Sequence, residues 1–244
     1  MNFSQIETKL RSNRVPLAIC MPENAETIGA AFEASDLGYV DCLFVGNKQL
    51  MEEGLRSFAP GFSPRLIAAS SPEDAAAKTV ELVRHGEAKA IMKGAVSTPV
   101  LLKAVLNSET GIKRGSILSH VLIFEWEGSF RFLTDGGMIP HPDLHEKEEI
   151  IINAIHIAQC LGIDVPRVAV LSAIEKVDAK IPSSMDAAIL SKMGERKQFG
   201  NAIVEGPLAL DNAISLESAH LKGLFNEVVG KADILVAQIG RAHV

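Results

Sequence analysis

Short apolar runs of strand length alternate along this chain with segments whose apolar residues recur at helical spacing. That alternation limits the fold more than any other feature. Two strands linked through a helix pair in parallel, with the helix laid over one face of the sheet. Val15–Met21 is the first run, and Ile28, Ala31, Phe32 and Ser35 mark a helix within Asn24–Leu37. Strands follow at 41–45, 65–69 and 88–92, and helices at 71–84 and 97–106. Ser71 is placed to cap its helix, and Pro72 fits the first helical position. The pattern breaks at 117–126 and 129–133, two apolar runs joined by Glu127 and Gly128, which read as an antiparallel hairpin. A long helix over 143–161 follows. Next come a strand at 167–171, a helix at 183–194, a strand at 202–204, helices at 208–214 and 217–221, and a strand at 232–236. The expected fold class is α/β, with two domains of mostly parallel sheet flanked by helices. A polar, glycine-containing stretch at 110–117 suggests the boundary. It separates an N-terminal domain, 1–112, which later elements could rejoin, from a second domain, 113–244.

Composition narrows the function classes. Of 244 residues, 47% are hydrophobic, enough for a substantial core. The net charge of −6 and the lack of a basic block argue against nucleic acid as a partner. With one Trp and one Tyr there is no aromatic platform for stacking bases. Cys20, Cys42 and Cys160 are far apart and odd in number, which suits a reducing cytosol better than a disulfide framework. A polar start, and apolar runs no longer than a strand, lead to the expectation of a cytoplasmic chain with no membrane span.

In parallel α/β sheets, ligands bind at the carboxyl ends of strands. Here those ends carry Lys93-Gly94 with Ser97 and Thr98, Ser119-His120, Thr134-Asp135, Ser172, and Asp211-Asn212. A lysine, a glycine turn and two hydroxyls before a helix could hold a phosphate. Each feature also has a plainer reading. Ser97 and Thr98 could merely cap a helix, Lys93 could be a solvated lysine, and His120 a core or interface histidine. Thr134-Asp135 could be a turn, and Asp211 a surface carboxylate. His141, His145 and His156 lack metal-helix spacing, so no metal site is expected. Neither a dinucleotide glycine fingerprint, nor a P-loop, nor a nucleophile elbow occurs.

Five segments occur in a telling order: Lys93-Gly-Ala-Val-Ser-Thr98, Gly115-Ser-Ile-Leu-Ser-His120, Phe132-Leu-Thr-Asp135, Val168-Ala-Val-Leu-Ser172, and Glu205-Gly-Pro-Leu-Ala-Leu-Asp-Asn-Ala-Ile-Ser215. Together they resemble the phosphate acetyl/butyryltransferase family, and the butyryl branch more than the acetyl branch. The resemblance implies two α/β domains of the isopropylmalate-dehydrogenase type with the site in the cleft between them. It implies conversion of acyl-CoA and phosphate to acyl phosphate and CoA, with butyryl-CoA favoured. CoA and phosphate are then substrates, and no separate cofactor is expected. It also implies a homodimer or larger assembly, for which the hairpin at 117–133 is a candidate interface.

On that resemblance, Lys93, Ser97 and Thr98 would bind phosphate, with Thr134, Ser172 and Asn212 lining the site. Ser119 and His120 would supply donors to the tetrahedral oxyanion. Asp135 or Asp211 would help deprotonate the CoA thiol in the reverse direction. The chain departs from the family pattern after the strand at 232–236. The family's later Ser-Arg pair and following acidic residue, used for CoA binding and catalysis, have no counterpart here. Residues 238–244 therefore read as foreign sequence, and the expectation is a truncated chain with little turnover. Three alternatives stay open at this level: an acetyl-specific enzyme, a metal-dependent dehydrogenase on the same fold, and a non-catalytic module that binds CoA or phosphate.

Overall fold

The computed structural model describes residues 2–11, 13–113, 115 and 117–237. Ser116 and the residues 238–244 read as foreign lie outside these. The chain divides into two compact units, Phe3–Arg114, and Gly115–Val244 with Met1–Asn2.

The first unit contains α1 (Phe3–Leu10), β1 (Val15–Cys20), α2 (Ala25–Asp36), β2 (Val40–Gly46), α3 (Lys48–Phe58), β3 (Arg65–Ala68), α4 (Pro72–Arg84), β4 (Ala90–Lys93) and α5 (Thr98–Val105). Its four strands are all parallel, in the order β3-β2-β1-β4. Alternate residues of each strand face opposite ways, so one sheet builds two cores. Ala18, Cys20, Leu43 and Val45 pack with Ala75, Ala76 and Leu101 from α4 and α5. Ile19, Cys42 and Phe44 pack with Ile28, Ala31 and Met51 from α2 and α3. Burial raises the Cys42 thiol to about 11, so it stays protonated in this core. The helix starts are fixed by short polar side chains. Asn24, Asn47 and Ser71 accept from Thr27, Leu50 and Asp74 backbone N–H groups at 2.8, 3.2 and 3.1 Å.

The second unit contains β5 (Val121–Trp126), β6 (Ser129–Thr134), α6 (Leu144–Cys160), β7 (Arg167–Leu171), α7 (Pro182–Glu195), β8 (Ile203–Leu208), α8 (Leu210–Ile214), α9 (Leu216–Leu221) and β9 (Ile234–Val236). The sheet order is β5-β6-β9-β7-β8. β5 and β6 are antiparallel, and the other pairs are parallel. Glu127 and Gly128 both have positive φ, 51° and 72°, which matches a type I′ hairpin turn. Asp143 and Glu146 form a reciprocal capping box at the start of α6. Asp233, buried just before β9, accepts from the Arg167 backbone N–H at 2.9 Å and Nε at 3.0 Å, which docks β9 beside β7. Lys147 on α6 is buried and paired with Asp186 on α7. Pro207 lies in β8, an edge strand, where its missing N–H removes no bond from the sheet interior.

Several boundaries differ from the sequence expectation. The first hairpin strand begins at Val121, so Ser119 and His120 precede it in irregular chain. Leu208 ends β8 instead of opening a helix, because it pairs with Leu171. Helices α1 and α3 are additions. Within α3, Gly54 interrupts the helical pattern, yet an added Cβ there would lie 2.4 Å from Ile28 Cδ1. The glycine therefore reflects close packing of α3 on α2. Among the described residues, no helix is long and apolar enough to cross a membrane.

Candidate active site

In the first unit the chain runs from β1 to β2 and β3 on one side, then returns through α4 to add β4 on the other side of β1. The order reverses between β1 and β4, and the carboxyl ends of such a pair form the usual ligand crevice of an open parallel sheet. β1 ends at Cys20 and β4 at Lys93. Pairing continues past both ends, with Gly94 N–H donating to Cys20 O at 2.9 Å and Ala95 N–H to Met21 O at 2.8 Å. Only glycine fits at 94, since an added Cβ would lie 2.3 Å from Met21 O and 2.7 Å from Cys20 O. Met21 itself has φ of 55°, an uncommon conformation for a side chain of its size.

Lys93 is exposed, and its Nζ donates to Gly94 O at 3.2 Å and Val96 O at 3.1 Å. The ammonium is thus folded over the loop that leads into α5. Ser97 occupies the N-cap position of α5, but its side chain makes no capping hydrogen bond. Ser97 and Thr98 are both exposed. Local capping therefore does not account for the Ser97 hydroxyl.

In the second unit, β6, β9, β7 and β8 end at one edge of the sheet. The last hairpin pair is Val121 with Thr134. Beyond it, side chains take over from the backbone. Thr134 Oγ1 donates to His120 O at 2.9 Å, and His120 N–H donates to Asp135 Oδ2 at 3.2 Å. The other carboxylate oxygen, Asp135 Oδ1, accepts from Gly137 N–H and Met138 N–H, each at 2.8 Å. Thr134 and Asp135 are buried. Three backbone donors converge on the Asp135 carboxylate, so it acts as a brace between the loop before β5 and the loop after β6. The His120 ring is exposed and lies against Gly136, where an added Cβ would be 3.7 Å from Nδ1. Ser119 is half-buried, and its Oγ accepts from Asn153 Nδ2 on α6 at 2.9 Å.

Ser172, just past β7, shares a hydrogen bond of 2.9 Å with Ser183 on α7. β7 is two strands from β6, so Ser172 lies roughly 10 Å along the edge from Thr134. Past β8, Asn212 is fully buried, with Nδ2 donating to Glu175 Oε1 at 2.6 Å and Oδ1 unpaired. Asp211 is exposed, and its carboxylate is 3.3 Å from Lys222 Nζ. Lys222 also pairs with Glu175 at 2.6 Å. Asp211 and Asn212 thus belong to an ion-pair cluster with Glu175 and Lys222. Neither Glu175, Lys222 nor Asn153 stands out in sequence, because the Asn153–Ser119, Asn212–Glu175 and Lys222–Glu175 contacts each span 34 or more positions.

The Lys222 ammonium bonded to Glu175 holds that carboxyl below 4.5, and the same bond raises Lys222 above 10.5. A carboxylate with a depressed folded pKa adds stability above its unfolded value, and loses it as pH falls through the folded value. Glu175→Gln is therefore expected to lower the urea midpoint at neutral pH. The gap to the unaltered chain should close as pH drops below 4.5. A gap that is constant across that range would contradict the assigned pairing. The Lys222 contribution follows the opposite rule, being present below 10.5 and lost as pH rises through the higher folded value.

Residues 62–237 match the family model described as Phosphate acetyl/butaryl transferase. The chain belongs to this family. It is 38% identical over 239 residues to the phosphate butyryltransferase of Clostridium acetobutylicum, covering 96% of this chain and 79% of that protein. Against the phosphate acetyltransferase of Rhizobium meliloti it is 37% identical over 221 residues, covering 89% and 70%. The crystal structure of a branched-chain phosphotransacylase from Enterococcus faecalis superposes with a TM-score of 0.81 at 31% identity, over 92% of this chain and 79% of that one. As a phosphate acyltransferase by family, the chain carries the α/β architecture of that neighbour, with an all-parallel sheet in one unit and a mixed sheet in the other.

Proposed function

We propose that this chain transfers a butyryl-type acyl group between CoA and inorganic phosphate. The supporting observation is the likeness over 92% or more of the chain to two proteins, one named for butyryl and one for branched-chain transfer. The similar identity to an acetyltransferase supports acetyl-CoA as a second reading. A methylene difference in an apolar pocket is worth only about 1–3 kcal/mol, so the preference is one of degree.

The reaction needs no covalent enzyme intermediate. An oxygen of hydrogen phosphate attacks the thioester carbonyl carbon, the carbon–sulfur bond breaks, and the phosphate proton ends on the CoA sulfur. With a thiol pKa of roughly 8.5, the sulfur leaves without strong acid help. Lys93 and the N-terminal N–H groups of α5, with Ser97 and Thr98, hold the phosphate. Lys93 would exchange its two carbonyl partners for phosphate oxygens. Ser119 donates to the oxygen that gains charge in the tetrahedral intermediate. His120, whose ring is exposed, takes the thiol proton in the reverse direction. Asp135 acts through the backbone that it braces. Thr134 serves the same brace, while Ser172, Asp211 and Asn212 line the far part of the edge.

A thiol-release assay with butyryl-, branched- and acetyl-CoA, each with and without phosphate, tests this reading. Release should require phosphate and be faster with butyryl- or branched-acyl-CoA than with acetyl-CoA. Lys93→Ala should raise the KM for phosphate about tenfold, the loss of one charged hydrogen bond of roughly 1.4 kcal/mol, with Tm unchanged. An unchanged phosphate KM would remove Lys93 from the site. Release independent of phosphate would overturn the proposed reaction.

A further inference from the structure

We propose that Asn153 is a positioning residue that forces the Ser119 hydroxyl to present its proton to the substrate. This rests on the reading of Ser119 as the donor to the developing oxyanion. A serine hydroxyl has one proton and two lone pairs, and free rotation lets the proton point anywhere. Here the rotor is constrained. Asn153 Nδ2 lies 2.9 Å from Ser119 Oγ, and an amide nitrogen donates but does not accept. One Ser119 lone pair is therefore taken, and the hydroxyl proton must point away from Asn153. No acceptor for that proton occurs among the described residues.

The backbone around Ser119 is fixed as well. His120, the next residue, is held at its carbonyl by Thr134 and at its N–H by Asp135. Asn153 is half-buried on α6, a helix anchored by its capping box and by the buried Lys147–Asp186 pair. Backbone and rotor are thus set by different elements of the second unit. A donor aligned before the substrate arrives need not reorganise as charge develops, which is the condition for strong electrostatic stabilisation.

The test compares Asn153→Asp with Asn153→Ala in the full chain, reading kcat, KM and Tm. Aspartate has the shape of asparagine but only acceptor oxygens when ionised. It would capture the Ser119 proton and turn it from the substrate, whereas alanine merely frees the rotor. Asn153→Asp should lose about 10²-fold in kcat, as for removal of an oxyanion donor. Asn153→Ala should lose less, and the KM for phosphate should be unchanged in both. A purely structural role predicts the reverse order, since the same-shaped residue would be the milder change. In the double variant with Ser119→Ala, Asn153→Asp should add no further loss. Full kcat in Asn153→Asp, a larger loss in Asn153→Ala, or additive losses would overturn the proposal while leaving the role of Ser119 intact. Full turnover in Ser119→Ala would overturn that role and the proposal together.

Discussion

Gly94→Ala is expected to destabilise the first unit by about 3–5 kcal/mol, at the upper end for a single substitution, and to disrupt the proposed phosphate site. The new methyl group would meet Met21 O at 2.3 Å and Cys20 O at 2.7 Å. Neither oxygen is free to retreat, because Cys20 O accepts from Gly94 N–H and Met21 O from Ala95 N–H. Met21 N–H is in turn bound to Val45 O at 2.7 Å. The segment from Gly94 to Ser97 must lift instead, and with it go the carbonyls that hold Lys93. Gly29→Ala is the matching control. Gly29 lies within α2 with nothing within 4 Å of the added Cβ, so alanine there should be neutral or stabilising by about 0.5–1 kcal/mol. Thermal melts of the two variants and their KM for phosphate test the prediction. A Gly94→Ala protein that melts and binds like the unaltered chain would contradict the close approach of β4 to β1.

Asp135→Ala should lower the Tm by about 10 °C, and Asp135→Asn by roughly half of that. The carboxylate receives three backbone N–H groups while buried, and alanine would leave all three without their acceptor. A hydrogen bond to a charged group contributes about 1.5–3 kcal/mol, and orphaned buried donors add to the loss. At about 2–4 °C per kcal/mol for a domain of this size, a shift near 10 °C corresponds to roughly 3–4 kcal/mol. Asparagine keeps one acceptor oxygen and so keeps part of the brace. The sequence reading offered Asp135 or Asp211 as the thiol base, and that role for Asp135 makes the opposite prediction. Removal of a base lowers turnover while Tm stays in place. A melt unmoved by Asp135→Asn, with kcat strongly reduced, would restore the base and remove the brace.

The fold was legible where the signal is local. The periods of two and 3.6 mark most strands and helices of both units. Ser71 announces a helix start, and Glu127-Gly128 announces the hairpin turn, because caps and turns depend on neighbouring residues. α3 is obscured because Gly54 answers to Ile28, a residue on another helix. The start of β5 is misjudged because Ile117–His120 is as apolar as a strand but is held by side chains from Thr134 and Asp135. In the candidate site, residue types at strand ends could be read off the chain, but their duties could not. The three N–H donors on Asp135 cannot be read from the chain, and Asp211 looks free until Lys222 is found beside it. Ser119 looks like a free hydroxyl until Asn153 is placed beside it.

The position of β9 bears on how the second unit comes to exist during synthesis. Ile234–Val236 is the last described strand in sequence, yet it sits between β6 and β7. Until it arrives, the β5–β6 hairpin and the β7–β8 pair share no edge and remain two separate ribbons. The first unit has no such gap, since all four of its strands are complete by Lys93. At about 5–20 residues per second, the 140 or so residues that separate Lys93 from β9 take roughly 7–30 s to translate. The nascent chain thus carries a finished first unit through a long interval in which the second still exposes unpaired strand edges. Closing that gap joins residues about 100 positions apart, a slow step for a chain that must find its partner by diffusion.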